Sequence, residues 1–366
     1  MTTTSASVAT YNLFVGIDIA ATTAKVSRVY PGKTATRALT IDQTPSGFEI
    51  LKQRLCSIGL SARSILVVME ATGSYWVTLA STLADSGFVV SVINPSQAHH
   101  FAKALLKRAK TDAIDAQTLA HLASVLQPAA WNPPPEVYTE LHQRLAERDS
   151  LLEMRQQARN QLHALIQYPN VVVAVKKRIE QLIETLNTQI DEVDAELETA
   201  LALDPEWAAS AQRLQSISGI GFLTAVWLLV ATLNFTVCKT ADELTAYAGL
   251  APHPFQSGTS VYGRPSIGHT GNARLRTMLY LATLSAARYN PVIKTFYNRL
   301  REAGKPMKVA RCAAARKLLH LAFAVVKQRE DFDPLYMQKQ QKCVQEGITH
   351  SCQAKSRRNH AKSLSS

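Results

Sequence analysis

Apolar positions in the first third of the chain fall in short runs with strand-like spacing, whereas later stretches repeat at helical spacing. Leu13 to Ala20, Lys25 to Tyr30 and Ala35 to Ile41 predict three successive strands. Phe48 to Ile58 then predicts a helix, and Ser64 to Glu70 a strand rich in Val, Ile and Leu. Tyr75 to Asp85 predicts a helix closed by Gly87, followed by a strand over Phe88 to Ile93. Three strands followed by alternating helices and strands make an α/β unit, a mixed sheet with helices on its faces.

That order matches the ribonuclease-H-like layout over residues 13–127, after a polar start at residues 1–12 expected to be flexible. Pro133-Pro134-Pro135 closes a turn-rich linker at 128–135, since serial prolines stiffen the chain and block helix. Two long helices follow, Glu136 to Ile166 and Val173 to Leu203, within a helical region 136–203. The second places Ile179, Ile183, Leu186, Ile190, Val193 and Leu197 on a heptad seam of about three heptads. Such a seam serves an intramolecular hairpin or a coiled coil between copies, and both readings stay open. Asp204-Pro205 opens a third region, 204–333, read as helical to about Glu330. Residues 334–366 form a basic, polar tail with little to bury, expected to be disordered.

Composition narrows the partners. A formal charge of +12 across 366 residues favours a polyanion, and nucleic acid is the natural one. No segment has the unbroken apolar length of a spanning helix, and Phe222 to Leu233 reads as a core helix. Met1 to Thr10 lack a signal peptide's basic start and apolar core, and five scattered cysteines without a CxxC pair fit a reducing cytoplasm.

Four acids carry the candidate chemistry. Asp18 and Glu70 each end an apolar strand, where a fold normally keeps carboxylates out. Asp112 and Asp115 stand three apart, on one helix face. Brought together, four carboxylates repel unless a cation holds them, and oxygen-rich sites suit Mg²⁺ or Mn²⁺. A pair of such ions about 3.5–4 Å apart is a common engine for attack on phosphodiesters.

Basic and glycine-rich segments supply candidate nucleic-acid contacts. Arg144, Arg148, Arg155 and Arg159 fall within a narrow sector of the first long helix and are read as phosphate contacts over a merely solvated face. Gly219 and Gly221, flanking Ile220 between apolar helical runs, suit a helix-hairpin-helix whose amides hold a phosphate; an ordinary tight turn would need glycine too. Phe255 to Arg264 reads as a hydroxyl-rich loop leading to a helix that starts near Asn272. Arg264, Arg274 and Arg276 could neutralise a phosphate there. Any of Ser257, Thr259 or Ser260 could be an active hydroxyl, with no Ser-His-Asp order visible locally.

These motifs resemble the DEDD-type transposases of bacterial insertion sequences that carry a catalytic serine, the family of the pilin-gene invertases and the bridge-RNA-guided recombinases. The resemblance runs from about Phe14 to Pro334 on Gly16-Ile17-Asp18, Glu70 to Tyr75, Val92 to Pro95, Lys110 to Ala116, Gly219 to Gly221, Ala248 to Pro252 and Ser257 to Ser260. It implies a RuvC-like domain with metal ligands at Asp18, Glu70, Asp112 and Asp115, a helical linker for self-association, and a C-terminal transposase domain whose nucleophile is Ser257. It also implies double-stranded DNA as substrate, a structured guide RNA encoded by the element, and a homo-oligomer, dimer or tetramer, working at the nucleoid. The serine of one protomer can then complete the acidic site of another. The rival readings are a hydrolytic ribonuclease-H-like nuclease, such as a junction resolvase, and a non-catalytic nucleic-acid-binding descendant.

Overall fold

A computed structural model describes residues 11–106, 111–257, 261–268 and 270–335, with backbone alone at 254–257, 261–262 and 264–265. All but Tyr11 and Asn12 of the expected flexible start, and all but the beginning of the basic tail, lie outside the described residues. The chain divides into two compact units between Pro133 and Pro134.

The first unit is built on β1 (Leu13–Ile19), β2 (Thr23–Val29), β3 (Leu39–Asp42), β4 (Ile65–Glu70) and β5 (Val89–Ile93). They lie in the order β3-β2-β1-β4-β5. β1 pairs antiparallel with β2, and β2 with β3, while β1 with β4 and β4 with β5 are parallel. Order and directions fit a ribonuclease-H-like sheet. β3 is shorter than its apolar run suggested. Thr36 instead bonds Arg28 irregularly, its hydroxyl accepting from the Arg28 amide at 3.0 Å, so the ladder starts only at Leu39.

Helices α1 (Pro45–Cys56) and α2 (Trp76–Asp85) supply Leu51, Leu55, Leu79 and Leu83 to one core, where Leu13, Val15 and Ile17 also point. Alternation along the strands turns Phe14, Leu66 and Val68 to the other face, against Leu119 and Ala123 of α4 (Asp112–Leu126). α3 (Pro95–Ala104) packs beside α4 and adds Ala98 to that face. Gly16 lets α4 come unusually close. A Cβ there would stand 2.1 Å from the Ala120 nitrogen and 2.3 Å from the Ala116 oxygen. No side chain fits that gap, which explains glycine inside an otherwise apolar strand.

The second unit begins with the antiparallel pair α5 (Glu136–Leu165) and α6 (Val173–Ala202). Leu186, Ile190, Val193 and Leu197 of the seam are buried in one cluster with Leu141, Leu145 and Leu151, so this part of the seam closes within the chain. Nearer the connection the packing opens: Ile179 and Ile183 are half-buried, and Leu182, Val172 and Val173 are exposed.

The same core continues through α7 (Pro205–Gln215), α8 (Phe222–Thr232), α9 (Ala241–Tyr247), α10 (Ala273–Tyr289), α11 (Pro291–Glu302) and α12 (Met307–Gln328). No packing break falls at residue 204, where the sequence suggested a new region. One non-helical element interrupts this run: β6 (Pro252–Ser257) and β7 (Val261–Ile267) form an antiparallel ribbon in place of the expected loop. Pro252, Pro254 and Pro265 argue against strand in the sequence. A two-stranded ribbon has two open edges, where a missing amide donor costs little.

Candidate active site

Asp18 ends β1 on the face that carries Phe14 and Gly16, and Glu70 ends β4 on the face that carries Leu66 and Val68. The parallel register pairs Gly16 with Val68 and Ile17 with Met69, so one further step sets Asp18 beside Glu70. α4 completes the group. Thr111 caps it, its hydroxyl accepting from the Ile114 amide at 3.3 Å, and both Asp112 and Asp115 occupy the first turn. The helix's N-terminal dipole favours carboxylates there. Because Gly16 seats α4 tightly on β1, that first turn arrives at the ends of β1 and β4.

The four carboxylates line one cleft of about 640 Å³. Asp18 is pushed up to about 6, first by burial and then by the charges of Asp115, Asp112 and Glu70. The repulsion expected from the sequence is therefore felt at Asp18. Lys25, its cross-strand partner, directs its ammonium instead to the Thr40 hydroxyl at 2.7 Å.

Oxygen donors and mutual repulsion fit a hard divalent cation. Among the described residues, however, no three Asp, Glu, His or Cys side chains stand together closely enough to hold one ion. The four carboxylates share the lining of one cleft.

Three further residues of the cleft were not singled out in the sequence. The Thr72 hydroxyl donates to Glu70 Oε1 at 2.8 Å and fixes that carboxylate's orientation. His99 and Lys103 of α3 line the same cleft. Their i, i+4 spacing just before the acidic pair was the available signal.

The expected nucleic-acid contacts fare differently. Arg144 is ion-paired with Glu140 and with Glu196 at 3.0 Å, Arg148 with Asp194 at 2.5 Å, and Arg155 donates to Asn187 at 3.0 Å. The stripe faces α6 and ties the hairpin together, because the seam turns this side of α5 inward. Only Arg159 of the four is exposed. Arg274 pairs with Asp149 and stacks on Trp227, 4.5 Å from the ring centre. Arg276 donates to the carbonyls of Thr270 at 3.1 Å and Ala248 at 3.4 Å. Both arginines have partners within the fold.

Gly219, at φ +108°, is required by packing: a Cβ would stand 2.5 Å from that of Ala286. Gly221 precedes α8 in open space, as a phosphate-binding turn would require. Ser257 is the last residue of β6, opposite Val261. Its side chain, that of Arg264, and Thr259 and Ser260 altogether lie outside the described residues.

Two family models match. One, a transposase of the DEDD type of IS110, covers residues 15–168, and the other, the transposase IS116/IS110/IS902 family, covers residues 211–298. The pilin gene-inverting protein of Moraxella bovis is 31% identical over 322 residues, 87% of this chain and 97% of that protein. The transposase for insertion sequence element IS1328 of Yersinia enterocolitica is 26% identical over 325 residues, 78% of this chain and 92% of its own length. Among the described residues no helix is long and apolar enough to cross a membrane.

Proposed function

This chain belongs to the IS110/IS116/IS902 family of insertion-sequence transposases, and from that premise we propose that it cuts and rejoins DNA through a phosphoserine intermediate formed at Ser257. The observation that best supports the acidic half of this reading is the convergence of Asp18, Glu70, Asp112 and Asp115 on one cleft.

Those four carboxylates would hold Mg²⁺ or Mn²⁺, which supplies polarisation of a phosphoryl oxygen. Asp18 and Glu70 come from the sheet and Asp112 and Asp115 from the first turn of α4, so the backbone holds all four on one cleft before substrate arrives. Thr72 keeps Glu70 from rotating away. The Ser257 hydroxyl attacks phosphorus; the Ser–O–P bond forms, the P–O3′ bond breaks, and the proton given up by the serine is balanced by the one the departing O3′ takes up as it becomes a free 3′-hydroxyl. A 3′-hydroxyl of a second duplex then attacks the phosphoserine and restores the serine. One phosphodiester is exchanged for another, so no nucleotide triphosphate is consumed.

Self-association through the α5–α6 hairpin, and selection of target DNA by a structured RNA encoded by the element, complete the proposal. The half-buried part of the seam, at Ile179 and Ile183, supports the first.

The test is covalent trapping. Protein, Mg²⁺, element-derived RNA and labelled junction DNA are run on a denaturing gel beside Ser257→Ala. A protease-sensitive shifted band made only by the serine protein is expected. Free cleaved ends from both proteins would establish the hydrolytic nuclease instead.

A further inference from the structure

Between Glu243 and Glu330 the chain holds one acid, Glu302, and fourteen lysines and arginines. Arg274 and Arg276 are used inside the fold, and Arg316 pairs with Asp242 at 3.3 Å. The turn joining α11 to α12 is different. Arg299, Arg301, Lys305 and Lys308 are exposed around it, Lys294 is exposed in the first turn of α11, and among the described residues none of the five has an ion-pair partner.

This surface is firmly held. Ile293 is fully buried beneath α11, and Asn290, also buried, caps that helix by accepting from the Val292 and Ile293 amides at 3.1 and 3.2 Å. Arg301 donates to the Lys305 carbonyl at 2.5 Å across a turn that Gly304 makes at φ +76°. A solubilising face normally mixes both signs, as α5 and α6 do; here five like charges on α11 and the turn after it stand against one acid, Glu302. Lys294 and Arg301 stand seven residues apart, which places them within about 20° around the helix and about 10 Å along it. That separation covers about three base-pair rises of duplex DNA.

We propose that the α11–α12 turn is a docking surface for the phosphate backbone of duplex DNA, holding it without reading sequence. Charge complementarity identifies the ligand chemistry, and the transposase family identifies DNA as its source. The proposal rests on that membership and is independent of the acidic site and of Ser257.

The experiment is binding of a 30-base-pair duplex of arbitrary sequence, followed by fluorescence anisotropy in EDTA between 50 and 300 mM KCl. The variant combines Lys294→Gln, Arg299→Gln, Lys305→Gln and Lys308→Gln, leaving Arg301 to hold the turn. A control removes the same four charges from the tail, with Lys355→Gln, Arg357→Gln, Arg358→Gln and Lys362→Gln. Each lost phosphate contact lowers the slope of log affinity against log salt by about 0.9, so the turn variant should lose about 3–4 and the control almost nothing. Unchanged slope in the turn variant, or equal loss in both, would overturn the proposal. So would normal DNA binding with lost binding of a hairpin RNA, which would give the surface to RNA. Circular-dichroism melting verifies that the turn variant is folded. Junction-DNA cleavage in Mg²⁺ by wild type and by Ser257→Ala, measured separately, reports on the catalytic reading, so the two failures are distinguishable.

Discussion

The acidic cleft of the first unit and the α5–α6 hairpin of the second both looked, in sequence, like charged residues collected on one side of an element. In the cleft, carboxylates from two strands and a helix meet with Lys103 on the same lining but, among the described residues, with no ion pair to any of the four, and Asp18 is pushed up to about 6. In the hairpin, each of three arginines finds an acid or an amide on its own or the facing helix. Charges that the fold leaves uncompensated are candidates for function, and charges that it pairs are part of the scaffold. The difference is set by what packs opposite, which one element's sequence does not contain.

Removing a cleft acid should have the largest effect. Asp115→Asn or Glu70→Gln should lower Mg²⁺-dependent strand cleavage by about 10³-fold, in line with losing a principal electrostatic group of an active site. Melting temperature should not fall. Cleavage at the wild-type rate would end the acidic half of the mechanism.

Gly16→Ala comes next, because it tests how the cleft is assembled and leaves its chemistry untouched. Overpacking of this kind costs about 1–3 kcal/mol, and pushing α4 off β1 should carry Asp112 and Asp115 away with it. Urea unfolding should show the stability loss, and cleavage should fall beyond what lost folded protein explains. A stable, fully active variant would mean that the close approach is dispensable.

Arg148→Met should sharpen the other side. Its ion pair with Asp194 is partly shielded, with side-chain exposures of 15% and 34%. Breaking such a pair should cost about 1 kcal/mol, with DNA affinity and its salt slope unchanged. A slope reduced by about one would instead make Arg148 a phosphate contact.

Asp18→Asn should act most subtly, in metal-free protein. Its carboxyl rises from 3.8 to about 6 on folding, so the folded state binds the proton more tightly than the unfolded state. The wild type therefore loses stability as pH climbs from about 4 to about 6, and the loss stays constant above that. The variant should be more stable than wild type by about 1–2 kcal/mol at pH 7, after allowing for solvent screening. The gain should vanish near pH 4. Melting curves in EDTA across that range would reveal it, and a gain independent of pH would mean that the charge is not its cause.

Much of the first unit was legible because its strands follow a two-residue alternation. Leu13, Val15 and Ile17 on one side and Phe14, Gly16 and Asp18 on the other could be assigned from the chain alone, as could an acid at each strand end. The long helices were also legible, since Glu136–Leu165 and Val173–Ala202 end within a residue of where their apolar periodicity fails. The β6–β7 ribbon was not, because its prolines and glycines read as loop and its pairing is stabilised across strands. Thr72 was missed because a hydroxyl two residues from an acid reads as an ordinary turn; only the bonded geometry reveals it as a positioning group.

The sequence by itself determined the kind of most elements outside the β6–β7 ribbon, the family, and which carboxylates stand at strand ends, since local spacing and side-chain chemistry suffice for each. The tertiary structure decided which charges remain unpaired. Gly16 brings α4 onto β1 and gathers acids, whereas the hairpin seam turns Arg144, Arg148 and Arg155 onto partners in or facing α5. Charge interactions act over a few ångströms between groups far apart in the chain, so whether a charge meets a like or an opposite neighbour is settled only when the elements dock.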